Sequence, residues 1–143
     1  MLEAVTATKT WFKSRELPNG LFVWQGHAHG TFMPESIGVA ALVTEFLMQS
    51  AGDTIRVFPC WPSDQNASFK DLRAQGGYLV SADLVNGGVQ EVTIIATVGG
   101  PLRVLSPWKT ILVNGKKLTL GADGVVTIAA KPKANFTFRP GKE

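Results

Sequence analysis

Few side chains in this chain have the type and spacing to do chemistry. His27 and His29 are the only histidines, two apart in the glycine-rich run Gln25-Gly26-His27-Ala28-His29-Gly30. Two imidazoles can begin a metal site, but no third ligand follows nearby. The run therefore reads as a hydrogen-bonded loop, and no metal is assigned. Both histidines remain candidates for contact with a substrate. Glu35 and Glu45 stand ten residues apart. On one helix that spacing separates them by about 15 Å, beyond the ~5–9.5 Å between the paired carboxylates of a glycosidase. Glu35 is kept as a catalytic candidate, one half of a site that another part of a larger protein would complete. Glu45 lies in an apolar stretch and reads as structural, with Arg56 or Arg73 as its expected partner. Trp24, Trp61 and Trp108 each present a flat face on which the C–H groups of a pyranose can stack. Prolines adjoin Trp61 and Trp108, which favours packing for these two. Trp24 and Trp61 are carried forward as sugar-contact candidates. Cys60, beside Trp61, reads as a small apolar residue. As the only cysteine it excludes an internal disulfide or a cysteine-rich zinc site.

Motifs for other chemistries are missing. The sequence holds no G-x-S-x-G elbow, no P-loop, no G-x-G-x-x-G after a strand and no H-E-x-x-H. Gly87-Gly88 and Gly99-Gly100 read as turn glycines that open no helix. No cofactor is expected.

The elements that must hold these residues divide the chain in three. Residues 1–34 read as an irregular leader rich in large aromatics (Trp11, Phe12, Phe22, Trp24 and Phe32), too many for a free tail. Residues 35–52 read as a helix. Pro34 suits its first turn, Glu35 complements the positive end of its dipole, and Gly52 stops it. Ile37, Val39, Leu42, Val43, Phe46, Leu47 and Met48 spread around most of its circumference, the pattern of a buried helix. From residue 53 to 143 short alternating runs are separated by turn signals. Tyr78, Val80 and Ala82 oppose Leu79 and Ser81; Val92, Ile94 and Ala96 oppose Thr93 and Ile95. Asn86-Gly87, Asn114-Gly115 and Asp123-Gly124 mark hairpins, the second most clearly. The expectation is a mainly β fold, an antiparallel, jelly-roll-like β-sandwich of about eight strands with one buried helix on its N-terminal side.

Composition agrees with a packed β domain. The chain has 143 residues, 45% apolar and 17% charged, with 15 glycines and 8 prolines. That many turn formers are incompatible with a helix bundle, and the apolar share suffices for a core. A net charge of +3 does not indicate nucleic-acid binding. No apolar run reaches the ~18 residues of a membrane-spanning helix, and the N-terminus lacks the basic start and apolar run of an export signal.

Four segments, taken together, carry a family resemblance. ALVTEFLMQS, TIRVFPCWP, SFKDLRAQGGYLVSA and VTIIATVGGPLRVLSPW occur in this order and at close spacing between Glu35 and Trp108. They resemble the C-terminal part of glycoside hydrolase family 95, the α-L-fucosidase-like and α-L-galactosidase-like enzymes. There a late helix leads through a short strand, a P-x-x-P-like loop and an L-R-A-x-G-G-like turn into a β-sandwich. Residues 109–143 fit in pattern only, as closing strands.

The resemblance implies a parent enzyme with an N-terminal β-domain, a helical barrel that holds the active site, and this C-terminal β-domain. Residues 35–52 would be the last helix of that barrel. The family's D-G-N-F-G-like motif falls near Met33 and is replaced by Met33-Pro34-Glu35-Ser36, which leaves Glu35 as the nearest carboxylate. The expected role is then non-catalytic support of the barrel by a domain whose partner is the rest of a larger glycosidase. A periplasmic or secreted location is implied for the parent. The alternative is a carbohydrate-binding module that holds an oligosaccharide on surface aromatics. Were the chain to stand alone, a homodimer closing over residues 1–50 would cover its apolar helix.

Overall fold

Strict alternation along two neighbouring strands organises the molecule. In the computed structural model, which describes residues 6–7, 10–11, 13–14 and 33–141, Tyr78, Val80, Ala82 and Leu84 are buried while the residues between them face outward. Val92, Ile94 and Ala96 repeat the pattern on the next strand. Register matches buried to buried, with Tyr78 opposite Ala96, Val80 opposite Ile94 and Ala82 opposite Val92. A slip of one residue would turn every one of these side chains to solvent, so the apolar pattern itself fixes the pairing.

Along the chain, helix α1 (Met33–Leu47) leads into β1 (Met48–Gln49), a 3-10 turn (Ala51–Asp53) and β2 (Arg56–Val57). Then follow β3 (Ala67–Ala74), β4 (Tyr78–Val85), β5 (Gly88–Ala96), β6 (Gly100–Leu105), β7 (Ile111–Val113), β8 (Lys116–Leu118), β9 (Val125–Ala130) and β10 (Asn135–Pro140). Six of these strands form one antiparallel sheet in the order β3-β4-β5-β10-β7-β8. β6 pairs with β9, and β1 with β2. A single parallel bridge, Ile55 to Val104, ties these two small ladders together. There Ile55 N–H donates to Arg103 O at 2.9 Å, and Leu105 N–H to Ile55 O at 3.0 Å.

Leu102, Val104, Val126 and Ala130 from the smaller layer meet Val80, Val92, Ile94 and Phe138 from the larger one in a common core. The arrangement is mainly β, antiparallel and sandwich-like. The larger layer holds six strands and the smaller layer the rest, so the even split of a jelly roll is not what the pairing produces.

Turns and edges follow local chemistry. Asn86-Gly87 and Asn114-Gly115 have positive φ at both residues (51° and 78°; 50° and 79°). That is the primed hairpin turn for which Asn-Gly is the preferred pair. The outer strand β3 bulges at Asp71, whose φ is 55° and whose N–H goes to Ser81 Oγ at 3.0 Å. Lys70 and Arg73 on that edge, and Lys116 and Lys117 on the opposite one, discourage pairing with another chain.

Four expectations are corrected. The helix starts at Met33 and stops at Leu47, not at residue 52, because Met48 and Gln49 pair with Val57 and Arg56. Leu47 O also accepts the Phe58 N–H at 2.6 Å. The sandwich unit accordingly begins at Phe46, and Met1–Glu45 forms a separate compact unit. The helix is not buried all round as expected: among its described side chains, Ala41, Leu42, Val43 and Glu45 are exposed. The strands number ten among the described residues, the expected eight or so together with the two-residue β1 and β2. Helical backbone at residues 6–7, 10–11 and 13 lies within the leader read as irregular.

Candidate functional site

Three connections converge at one end of the sandwich. The β3–β4 turn brings Gln75, Gly76 and Gly77, the β5–β6 turn brings Gly99 and Gly100, and the 3-10 turn brings Asp53. The Ile55–Val104 bridge holds the last of these beside β6. Gly77 O, which accepts both the backbone N–H (2.8 Å) and the hydroxyl (2.6 Å) of Thr97, fastens the first two turns together. Ser50 Oγ accepts the Gln75 N–H at 3.0 Å and adds the segment before the 3-10 turn.

Between these turns lies a cleft of about 200 Å³, lined by Asp53, Gln75, Tyr78, Gly100, Pro101 and Arg103 among others. Tyr78, the only tyrosine, opens β4 with its ring turned to the core and 3% of its surface exposed. A Cβ placed on Gly76 would lie 2.9 Å from the tyrosine ring, so that position takes glycine for want of space. A Cβ on Gly100 would lie 3.8 Å from the phenolic oxygen. Among the described residues this hydroxyl is the one buried side-chain polar atom without a hydrogen-bond partner. Burial pushes the phenol pKa above its ordinary value. Arg103 is half in solvent and meets Asp123 only loosely, at 3.9 Å. The cleft thus offers a cation, a carboxylate, an amide and a phenol. Among the described residues one carboxylate, Asp53, lines it, whereas glycoside hydrolysis uses two. The arrangement suits binding.

Most residues singled out from the sequence do not meet here. Trp24, His27 and His29 lie outside the described residues. Glu35 sits in the first turn of α1, and its side chain is likewise outside what the structure describes. Trp61 is half-buried, and its indole N–H donates to Gln65 O at 3.2 Å, closing the Pro59–Asn66 loop. Trp108 is also half-buried and donates to Val89 O at 2.9 Å, a structural role. Cys60 is half-buried, with Gln49 Nε2 at 3.9 Å from its sulfur. Glu45 is exposed and so has no need of the partner expected for a buried carboxylate, while Arg56 donates to Ala51 O and Thr54 O, both at 3.1 Å. Arg73 is exposed and makes no ion pair among the described residues. No group of three metal-ligating side chains occurs among the described residues, and none of their helices is long and apolar enough to cross a membrane.

The sequence reading missed Tyr78 and Arg103. The available signal was a lone tyrosine directly after Gly76-Gly77, at the foot of an alternating strand. No protein-family model matches the chain, and no curated protein matches it.

Proposed function

We propose that this chain is a non-catalytic C-terminal β-sandwich domain of a larger carbohydrate-active enzyme, of the family 95 kind, that supports a helical catalytic domain. The observation that carries this reading is the exposed apolar surface of α1. Leu42 and Val43 are 37% and 44% exposed on a helix that runs directly into the sandwich through β1. Covering such side chains is worth about 1.5–3 kcal/mol each when burial is complete. A helical neighbour supplies that cover, and the four ordered segments resemble a family in which this helix belongs to a barrel. The single carboxylate in the cleft supports a role outside catalysis.

The test uses the chain alone, assayed for hydrolysis of aryl α-L-fucosides and α-L-galactosides and for self-association. Turnover is expected to be nil. The exposed helix should drive weak self-association that the double substitution Leu42→Ser, Val43→Ser reduces. Turnover that disappears in Glu35→Gln would overturn the proposal, as would a strictly monomeric chain indifferent to the helix substitutions.

A further inference from the structure

The Tyr78 cleft has no task in a purely supporting domain, yet it carries a cost that such a domain would be expected to lose. A buried phenol without a partner is unfavourable, and phenylalanine would fill the same space without that penalty. The unpaired hydroxyl is closed off from solvent near Gly100, and both Tyr78 and Gly100 line the cleft.

The lining decides the kind of ligand. Its volume of about 200 Å³ falls below the ~300–1,000 Å³ of sites for drug-sized molecules, so one small ring fits and a chain of several does not. Asp53 and Arg103 cancel in formal charge. An anion would meet the Asp53 carboxylate, and a cation would meet Arg103. A neutral hydroxyl satisfies both, because it donates to a carboxylate and accepts from a guanidinium. The Gln75 amide and the Tyr78 hydroxyl accept and donate alike, so they too match a molecule whose every oxygen plays both parts. Pro101 adds an apolar surface for C–H groups.

We propose that this cleft binds a single neutral polyol of monosaccharide size, with Tyr78 giving its free hydroxyl to a ligand oxygen and Asp53, Gln75 and Arg103 holding the neighbouring ones. Gly99 and Gly100, without side chains, are the part of the wall that must yield for a ligand oxygen to reach the phenol. This inference does not depend on the helical neighbour, because every residue in it belongs to the Phe46–Glu143 unit.

The experiment is an amide NMR titration of the full chain with D-glucose, D-galactose, L-fucose and D-mannose, with sodium acetate as an anionic probe. The expected result is a saturable shift at Gly76, Gly99, Gly100 and Arg103 with at least one sugar. Tyr78→Phe should weaken that binding several-fold, up to about tenfold, the share of one hydrogen bond. Arg103→Ala, on an exposed side chain that folding does not need, provides a second reading and should weaken it similarly. Saturable binding of acetate in place of the sugars would overturn the proposal. So would the absence of saturation with every sugar, or an affinity unchanged in both variants.

Discussion

Replacing Tyr78 by phenylalanine isolates one oxygen atom and asks what it costs. The ring stays, with its place beneath Gly76 and its burial unchanged. What leaves is a hydroxyl that folding removes from water without giving it a protein partner. Such a group costs about 1–3 kcal/mol. The lower end applies here, because removing the oxygen leaves a void of about one atom, which offsets part of the gain. Tyr78→Phe is therefore expected to stabilise the chain by about 1 kcal/mol. For a unit the size of Phe46–Glu143 that corresponds to a rise in Tm of about 4–8 °C. Urea unfolding followed by tryptophan fluorescence and by far-UV circular dichroism measures it, and agreement of the two probes supports two-state treatment. A loss of about 1 kcal/mol or more would refute the reasoning, since it would mean that the hydroxyl makes a favourable bond in the folded protein.

The same variant has a pH signature. Burial raises the Tyr78 pKa in the folded chain above its ordinary value of 10.0. Above that ordinary value the unfolded chain loses the phenolic proton while the folded chain still holds it. The unfolded state then binds fewer protons, and stability falls as pH rises. The contribution is fully present below pH 10 and is lost as pH rises through the folded pKa. Phenylalanine cannot ionise, so the gap between Tyr78→Phe and the parent chain should widen above pH 10 and be constant below it. A gap that does not change across this range would contradict the assigned burial. Together with the sugar titration, the variant separates two properties: it should be more stable and bind less, the exchange expected where a site is retained at some expense of stability.

Other substitutions test the fold that holds the cleft. Phe138→Ala, at a fully buried side chain on β10, should cost about 3–5 kcal/mol and lower the urea midpoint without changing the secondary structure of whatever remains folded. Gly77→Ala combines a φ of 77° with a new methyl 2.5 Å from Val98 Cγ2, and should cost about 1–3 kcal/mol in the same assay. By contrast, Glu91→Gln should change stability by less than about 1 kcal/mol, and by less still at high salt. Its bond from Arg139 Nε is short, at 2.6 Å, but the two side chains are 33% and 64% exposed.

How much of this was legible in the sequence depends on the distance over which each feature is decided. β9 (Val125–Ala130) starts directly after Asp123-Gly124, a local turn signal, but the hairpin expected there does not form, because β8 pairs with β7 and β9 pairs with β6. The turns at Asn86-Gly87 and Asn114-Gly115 were equally local, since Asn-Gly meets the demand for two positive φ angles by itself. The end of α1 was not local. Met48 and Gln49 continue an apolar helical pattern, and only pairing with Arg56 and Val57 pulls them into a strand, so tertiary contact overrode propensity there.

The cleft lies further from view still, because it depends on the Ile55–Val104 bridge. A parallel bridge of one residue has no period and no turn of its own, so nothing in the run from Ser50 to Phe58 announces that Asp53 will stand at the same cleft as Arg103. Tyr78 shows the division within a single side chain. Alternation with Val80 and Ala82 turns its ring inward, and that much is written in the strand. Whether its hydroxyl then meets a partner is decided by the residue that the β5–β6 turn sets against it. That residue is Gly100, which has no side chain to offer. A larger polar residue there could have closed the hydrogen bond and sealed the cleft; glycine leaves the phenol unpaired and its oxygen beside the cleft.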